Sequence, residues 1–200
     1  YPEGQSETFT VENNPNRPED GTREVTFSRE VYVESEDFLE TPVPKYKRLY
    51  PNGPECRLKG AYLIQCTGCK KDESGNVVEI YATYDPDSRG GDPADGRKVK
   101  GATIHWVDAA TAIDAEVRLY DNLFTDADPD AADKNFLECL NPDSLEILTG
   151  CKVEPSMADA AAPASFQFMR LGYFCLDSKD SRPGHLVFNR SVSLKDSFKK

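Results

Sequence analysis

The sequence predicts an all-β chain built as two antiparallel β-barrels, one proximal and one distal, with a few short helices. Three observations carry this expectation. Apolar and polar residues alternate with a period of two in short runs along most of the 200 residues. Turn-forming residues separate those runs at intervals of roughly ten to fifteen positions. Helical periodicity is scarce, whereas a parallel α/β sheet needs a helix between most of its strands.

Residues 1–22 are polar and rich in Pro, Asn and Glu. Pro15 and Pro18 block a helix there, so the stretch reads as extended or coil. Val25, Phe27, Val31 and Val33 then alternate through 23–28 and 30–34. Residues 61–66 form an apolar run. Asp72-Glu73-Ser74-Gly75-Asn76 has the composition of a hairpin turn, and 77–84 is the returning strand. Residues 101–107 and 115–120 alternate again, the latter with Ala115, Val117 and Leu119 inward and Glu116, Arg118 and Tyr120 outward. Later strands are expected at 144–148, 165–170, 173–176 and 186–192. Two helices are expected: 130–140, with an acidic start and Phe136, Leu137 and Leu140 on one face, and one or two turns at 156–161.

Two breaks divide the chain. Glu40-Thr41-Pro42-Val43-Pro44 reads as a linker, and 125–132 is an acidic stretch of Asp, Ala and Pro. The expected organisation is therefore a distal barrel at 45–124 inserted into a proximal barrel made of 1–44 plus 125–200. The chain opens on Tyr1 without the charged and apolar regions of a signal peptide, and reads as a piece of a longer polypeptide. No apolar run approaches the roughly 20 residues of a membrane-spanning helix, so no membrane partner is expected.

Lys and Arg number 24 against 35 Asp and Glu, a net charge of -11. Taken alone, that sum argues against a nucleic-acid partner, DNA included, because a phosphate chain demands cations. Location still matters more than the sum. Six cysteines sit in or beside strand-like runs, which favours reduced thiols in a cytoplasmic protein over a disulfide framework. The sequon Asn189-Arg190-Ser191 is then incidental.

Most motifs resolve into structural readings. Gly91-Asp92-Pro93-Ala94-Asp95-Gly96-Arg97-Lys98 resembles a phosphate loop, but its Lys is one place late and no Ser or Thr follows. It is better read as a turn entering a strand. Asp126, Asp128 and Asp130 have calcium-loop spacing, but Ala131 replaces the required Gly and Pro129 intrudes. Cys66-Thr67-Gly68-Cys69 lacks the second pair of a structural zinc site, so no metal is expected. His105, beside the sole Trp, reads as a packed histidine. No catalytic constellation is visible, and no cofactor is expected on this chain.

One region opposes the global charge. Lys45-Tyr46-Lys47-Arg48 and Cys56-Arg57-Leu58-Lys59 place five cations near a single acid, Glu55, with Lys70, Lys71, Arg97, Lys98 and Lys100 extending the run. Two readings stay open here: a solvated charge run, or a basic groove interleaved with Tyr46 and Tyr50 that grips single-stranded nucleic acid.

The ordered blocks then narrow the choice. Lys45-Tyr46-Lys47-Arg48-Leu49, Arg57-Leu58-Lys59-Gly60-Ala61-Tyr62, the 92–101 segment, Ile104-His105-Trp106-Val107, Val117-Arg118-Leu119-Tyr120-Asp121, Phe166-Gln167-Phe168 with Arg170, the 172–178 segment and Val187-Phe188-Asn189-Arg190 together resemble the anticodon-binding region of the glutaminyl-tRNA synthetase family. The resemblance spans about 16–195 in order. It implies the two barrels, with ATP and Mg chemistry confined to a catalytic domain absent from this chain. The implied partner is tRNA(Gln), bound by a monomer in the cytoplasm as part of a glutamine–tRNA ligase. By position, Arg57 and Lys59 would serve the first anticodon base, Gln167 and Arg170 the central uridine, and Lys47 and Arg48 the third base and its phosphates. Asn16 would meet bases at or just after that third position. Lys59 stands where the family commonly has Arg; it keeps the charge and lacks the planar fork. The alternatives are a glutamyl-tRNA ligase fragment and a β-barrel protein-interaction module.

Overall fold

The computed structural model describes residues 1–131 and 133–194. Ala132 and 195–200, which end the expected 125–132 linker and the 125–200 segment, lie outside the described residues. Thirteen strands form: β1 (Glu7–Glu12), β2 (Thr22–Phe27), β3 (Val31–Tyr32), β4 (Cys56–Leu58), β5 (Leu63–Lys71), β6 (Val77–Asp85), β7 (Thr103–Ile104), β8 (Val107–Asp108), β9 (Ile113–Tyr120), β10 (Leu145–Val153), β11 (Ser165–Phe168), β12 (Gly172–Leu176) and β13 (Leu186–Ser193). The all-β class holds. The strands pair into sheets ordered β1-β2, β10-β9-β13-β12-β11, β3-β8 and β6-β5-β4-β7. No ladder among the described residues closes on itself, and β4–β7 and β9–β13 pair in parallel rather than antiparallel.

The chain divides into two compact units, Tyr1–Ala112 and Ile113–Lys200. These bounds differ from the insert expected at 45–124, and two features bear on the difference. The Pro-rich 40–44 segment is a closed loop rather than a linker: Leu39 N–H donates to Leu49 O at 3.0 Å and Leu49 N–H to Asp37 O at 2.9 Å. Phe9 and Phe27 of the N-terminal strands also pack into the same core as Tyr62 and Trp106, edge to face.

In the first unit, Phe9, Phe27, Leu49, Cys56, Leu58, Tyr62, Ile64, Cys66, Ile104 and Trp106 form the buried core. Glu7 ties that core to its rim. Its carboxylate accepts from Tyr62 Oη at 2.5 Å, Tyr1 Oη at 3.0 Å and Arg89 Nε at 2.8 Å. Burial pushes this carboxyl up, but those hydrogen bonds outweigh it and hold Glu7 below the usual range. The β5–β6 hairpin turns where the composition places it: Gly75, at φ +87°, donates to Asp72 O, and Asp72 Oδ1 accepts from Ser74 N and Asn76 N. Cys66 and Cys69 both face the core, because a bulge between Cys66 and Gly68 shifts the strand's alternation by one. All six cysteines are free thiols, although only Cys56 and Cys66 are fully buried. Burial pushes Cys56 up to about 11.

The second unit packs Ala115, Val117, Val153, Phe174, Leu176, Leu186 and Phe188 beneath its five-stranded sheet. The two expected helices are single 3-10 turns, Phe136–Cys139 and Pro155–Met157. Phe136, Leu137 and Leu140 remain about half exposed, so no apolar burial offsets the cost of nucleating a longer helix. β1 and β4 are strands without a counterpart in the expected list: the flanking prolines obscured the Phe9/Val11 alternation, and β4 has only three residues.

Asp177 anchors the loop before β13. Asn189 Nδ2 donates to it at 2.6 Å, the backbone amides of Asp180 and Lys179 donate at 2.8 Å, and Arg118 lies 3.8 Å away. These donors hold its carboxyl down at about 2 against an ordinary 3.8. A depressed native value means stability present above the unfolded value and lost as pH falls through the native one. Asp177→Asn is therefore expected to flatten the loss of stability between about pH 4 and pH 2, read by urea unfolding at stepped pH. An unchanged pH profile would contradict this anchoring.

Candidate functional site

The basic segments of the first unit are gathered by its backbone. Alternation along β4 buries Cys56 and Leu58 and turns Arg57 and Lys59 to the opposite face. Ala102 N–H donates to Lys47 O at 2.7 Å, Arg57 N–H to Ala102 O at 3.0 Å, and Lys59 N–H to Ile104 O at 3.0 Å. The 100–104 segment thus lies between the Lys47 strand-like segment and β4. Gly101 permits the approach: a Cβ there would stand 2.1 Å from Glu55 O. Lys47, Lys59 and Lys100 are exposed along these three neighbouring segments. Asn16 occupies the exposed loop between β1 and β2, and Val11 of that hairpin lies against Gly60 at the end of β4.

Ion pairing sorts the remaining cations. Lys70 pairs with Glu79 and Lys71 with Glu40, so they do not extend the basic face as the charge run suggested. Arg97 is held by Glu55, Asp85 and Asp95. Its hydrogen bonds to those carboxylates, Glu55 first, push its guanidinium still higher than usual. Among the described residues, Lys45, Lys47, Lys59, Lys98 and Lys100 enter no ion pair.

The two arginines assigned to bases differ. Arg57 Nε donates to Gly91 O at 2.8 Å and its Nη2 to Asp92 Oδ1 at 3.2 Å. These bonds fix the plane of the guanidinium, whose Nη1 makes none among the described residues. Arg48 instead turns inward: its Nη1 stands 3.3 Å from the fully buried Asp37 and donates to Glu36 O at 3.2 Å. Its first duty is structural. Tyr46 and Tyr50 stand beside it with ring centroids 6.3 Å apart, and Tyr46 Oη donates to Glu36 O.

Gln167 and Arg170 belong to the second unit. Gln167 lies on the exposed face of β11, the last strand of its sheet, with Phe166 and Phe168 turned inward. Phe168 stacks on Phe174 at 4.3 Å, which stiffens the strand pair from below. Directly across the ladder from Gln167 is Tyr173, 47% exposed. Cross-strand neighbours of this kind stand about 5 Å apart at Cβ, so an amide and an aromatic face share one surface. Arg170 follows in the turn to β12 with a left-handed φ of +67°, a conformation uncommon for a residue with a side chain. Tyr173, Gly91 and Asp92 have no place among the site residues read from sequence. The Tyr173/Phe174 alternation could have exposed the first, but nothing local pairs Gly91 and Asp92 with Arg57.

Two family models match the chain. Both are described as class I tRNA synthetase (E and Q) anticodon-binding domains, one over residues 1–85 and the other over 103–177. Similar proteins include the glutamine–tRNA ligase of Clostridium kluyveri, 54% identical over 200 residues, which is all of this chain and 35% of that protein. That of Aliivibrio fischeri is 54% identical over 198 residues, 99% of this chain and 35% of that protein. That of Pseudomonas syringae pv. tomato is 51% identical, over 99% of this chain and 34% of that protein. The chain thus spans about a third of the length of these relatives.

The Arg48–Asp37 pair generates a prediction independent of any ligand. Removing the arginine takes a compensating positive charge away from a fully buried carboxylate. Arg48 is itself one-third exposed, so water screens part of the pair and the cost falls below that of a fully buried one. Arg48→Ala is expected to lower the unfolding free energy by about 1–2 kcal/mol, and adding Asp37→Asn to recover part of that. Urea denaturation checks both; an unchanged midpoint in Arg48→Ala would refute the structural role.

Proposed function

Because the chain belongs to the anticodon-binding domains of the class I tRNA synthetases of E and Q type, we propose that it holds the anticodon loop of tRNA(Gln), as the RNA-reading third of a cytoplasmic, monomeric glutamine–tRNA ligase. The observation that carries this reading is the backbone lacing that gathers Lys47, Arg57, Lys59 and Lys100 on an otherwise acidic molecule. Cations without internal partners remain available to phosphates, and each phosphate contact releases counterions. The matched relatives named above are glutamine–tRNA ligases, which favours glutamine over the glutamyl alternative.

Each side chain suits its part. Arg57 is held by Gly91 and Asp92 along one edge, and its remaining N–H groups can meet the acceptors of the first anticodon base. Lys59 and Lys47 supply point charges for phosphate, Lys47 beside the third base. Arg48, anchored on Asp37 through one nitrogen, joins Lys47 at the third base and its phosphates, and Asn16 meets bases at or just after that position. Gln167 offers both a donor and an acceptor to the central uridine, as its pyrimidine edge requires, with Arg170 at the adjoining turn. Tyr173 supplies the stacking face beside Gln167. Glutamine activation with ATP and Mg falls to the other two thirds of such a ligase.

Arg57→Ala is expected to weaken binding to a glutamine anticodon stem-loop by about 1–3 kcal/mol, and wild-type affinity to fall steeply with salt, with a log–log slope on the order of −0.7 per phosphate contacted. Fluorescence titration at several salt concentrations reads both. Unchanged affinity with a flat salt dependence would instead support a protein-interaction module. Tyr173→Ala is expected to lose about 1–3 kcal/mol of the same affinity, whereas Tyr173→Phe retains it. Equal losses in both variants would assign the effect to the hydroxyl rather than to stacking.

A further inference from the structure

The loop of residues 86–100 leaves the end of β6 and returns to the start of β4, and one side chain closes it on both. Arg97 Nε donates to Glu55 Oε2 at 2.9 Å and its Nη2 to Glu55 Oε1 at 2.7 Å, a two-point grip on the residue that precedes β4. The same Nη2 donates to Asp85 Oδ2 at 2.6 Å, at the last residue of β6, and Nη1 donates to Asp95 Oδ1 at 3.0 Å within the loop. The planar fork of arginine suits this arrangement; a lysine could reach one of these carboxylates but not bridge all three in fixed directions. Residues 86–100 contain no strand of their own; their first part is pinned by Leu63 N–H donating to Ser88 Oγ, Gly90 N–H to Ala61 O and Arg89 Nε to Glu7, and Arg97 fixes the far end, so Gly91 and Asp92 lie between two anchors. That path sets Arg57: Gly91 supplies the carbonyl that accepts Arg57 Nε, and Asp92 the carboxylate that accepts Nη2. Gly91 adopts φ +96° to do so and is itself buried, with Arg57 Cδ 3.8 Å from where a Cβ would stand.

We infer that Arg97 is a positioning residue for base reading: by clasping the 86–100 loop onto Glu55 and Asp85, it holds Gly91 and Asp92 where they orient the Arg57 guanidinium. Arg97 touches no RNA in this account, since its guanidinium is committed to three carboxylates. The inference rests on the function proposed above, and it separates two kinds of basic residue within the Arg97-Lys98 pair: an internal clasp at 97 and an exposed cation at 98.

The test uses the 200-residue chain as it stands, with Arg97→Met, Arg97→Lys, Arg57→Ala and the Arg97→Met/Arg57→Ala double variant. Binding is measured to anticodon stem-loops that differ only in the first anticodon base. Arg97→Met is expected to lose roughly tenfold in discrimination at that base, and Arg97→Lys to recover part of it. In the Arg57→Ala background, Arg97→Met is expected to change affinity by less than about twofold. Independent, additive losses would overturn the inference. A second reading needs no RNA: the Arg57 Nε–H resonance, protected in the wild type, is expected to exchange measurably faster in Arg97→Met, with one of the two anchors of its Gly91 acceptor removed. Retained protection would overturn the inference even if RNA binding were lost, whereas lost protection without any RNA binding in the wild type would sustain it and sink the functional reading alone. Should Arg97→Met fail to fold, Asp95→Asn removes a single arm of the clasp at an exposed position, and the same resonance is expected to lose part of its protection; full protection there would count against the clasp.

Discussion

The basic face of the first unit depends on backbone bonds rather than on the basic side chains themselves. Lys47, Arg57 and Lys59 repel one another and would not gather unaided. They are brought side by side because the 100–104 segment is hydrogen-bonded to Lys47 on one flank and to β4 on the other. Gly101 allows this closeness, since no side chain fits between its backbone and Glu55. The buried alternation of Cys56, Leu58 and Ile104 then turns the intervening polar residues outward. Apolar burial, at roughly 25 cal/mol per Å², thus holds like charges together.

Charge accounting explains which cations remain available. Acids outnumber cations 35 to 24, and the acids take the arginines preferentially: Arg48, Arg57, Arg89, Arg97 and Arg118 each carry at least one carboxylate partner. Several lysines on the gathered segments are left to solvent. An acidic remainder disfavours indiscriminate polyanion binding and leaves positive potential only at the few places where cations stand without internal partners. The second unit presents a different kind of surface. Its candidate surface pairs an uncharged amide, Gln167, with the exposed ring of Tyr173, a combination suited to hydrogen bonding and stacking on a base rather than to gripping phosphate.

Much of this was legible from local pattern. Period-two alternation placed β2 and β9, short apolar runs placed β5, β11, β12 and β13, and Asp72 to Asn76 identified the β5–β6 hairpin because that turn is built from its own residues. β1 and β4 escaped, the first beneath neighbouring prolines and the second by its brevity. The unit boundary escaped because Pro42 and Pro44 look like a linker in sequence, whereas the Leu39–Leu49 bonds that close them into a loop are a tertiary fact. The 130–140 helix failed because Phe136 and Leu137 find nothing to pack against. At the candidate site, the outward direction of Arg57 and Lys59 follows from alternation only once β4 is known, and its three residues were too few to read. The inward turn of Arg48 and the clasp around Arg97 were not legible either, since Asp37 lies 11 residues from its partner and Glu55 lies 42 from its own, beyond any local rule.

The central claim is that the laced cations of the first unit and the Gln167 surface of the second contact the anticodon bases. It is tested most directly by titrating the isotope-labelled chain with a glutamine anticodon stem-loop and following every amide and arginine side-chain resonance. The account predicts that saturable shifts centre on Lys47, Arg57, Lys59, Gln167 and Tyr173, and that they weaken when the central uridine is replaced. Shifts spread over Glu7, Asp85 and Asp177 while those five residues stay still would contradict it.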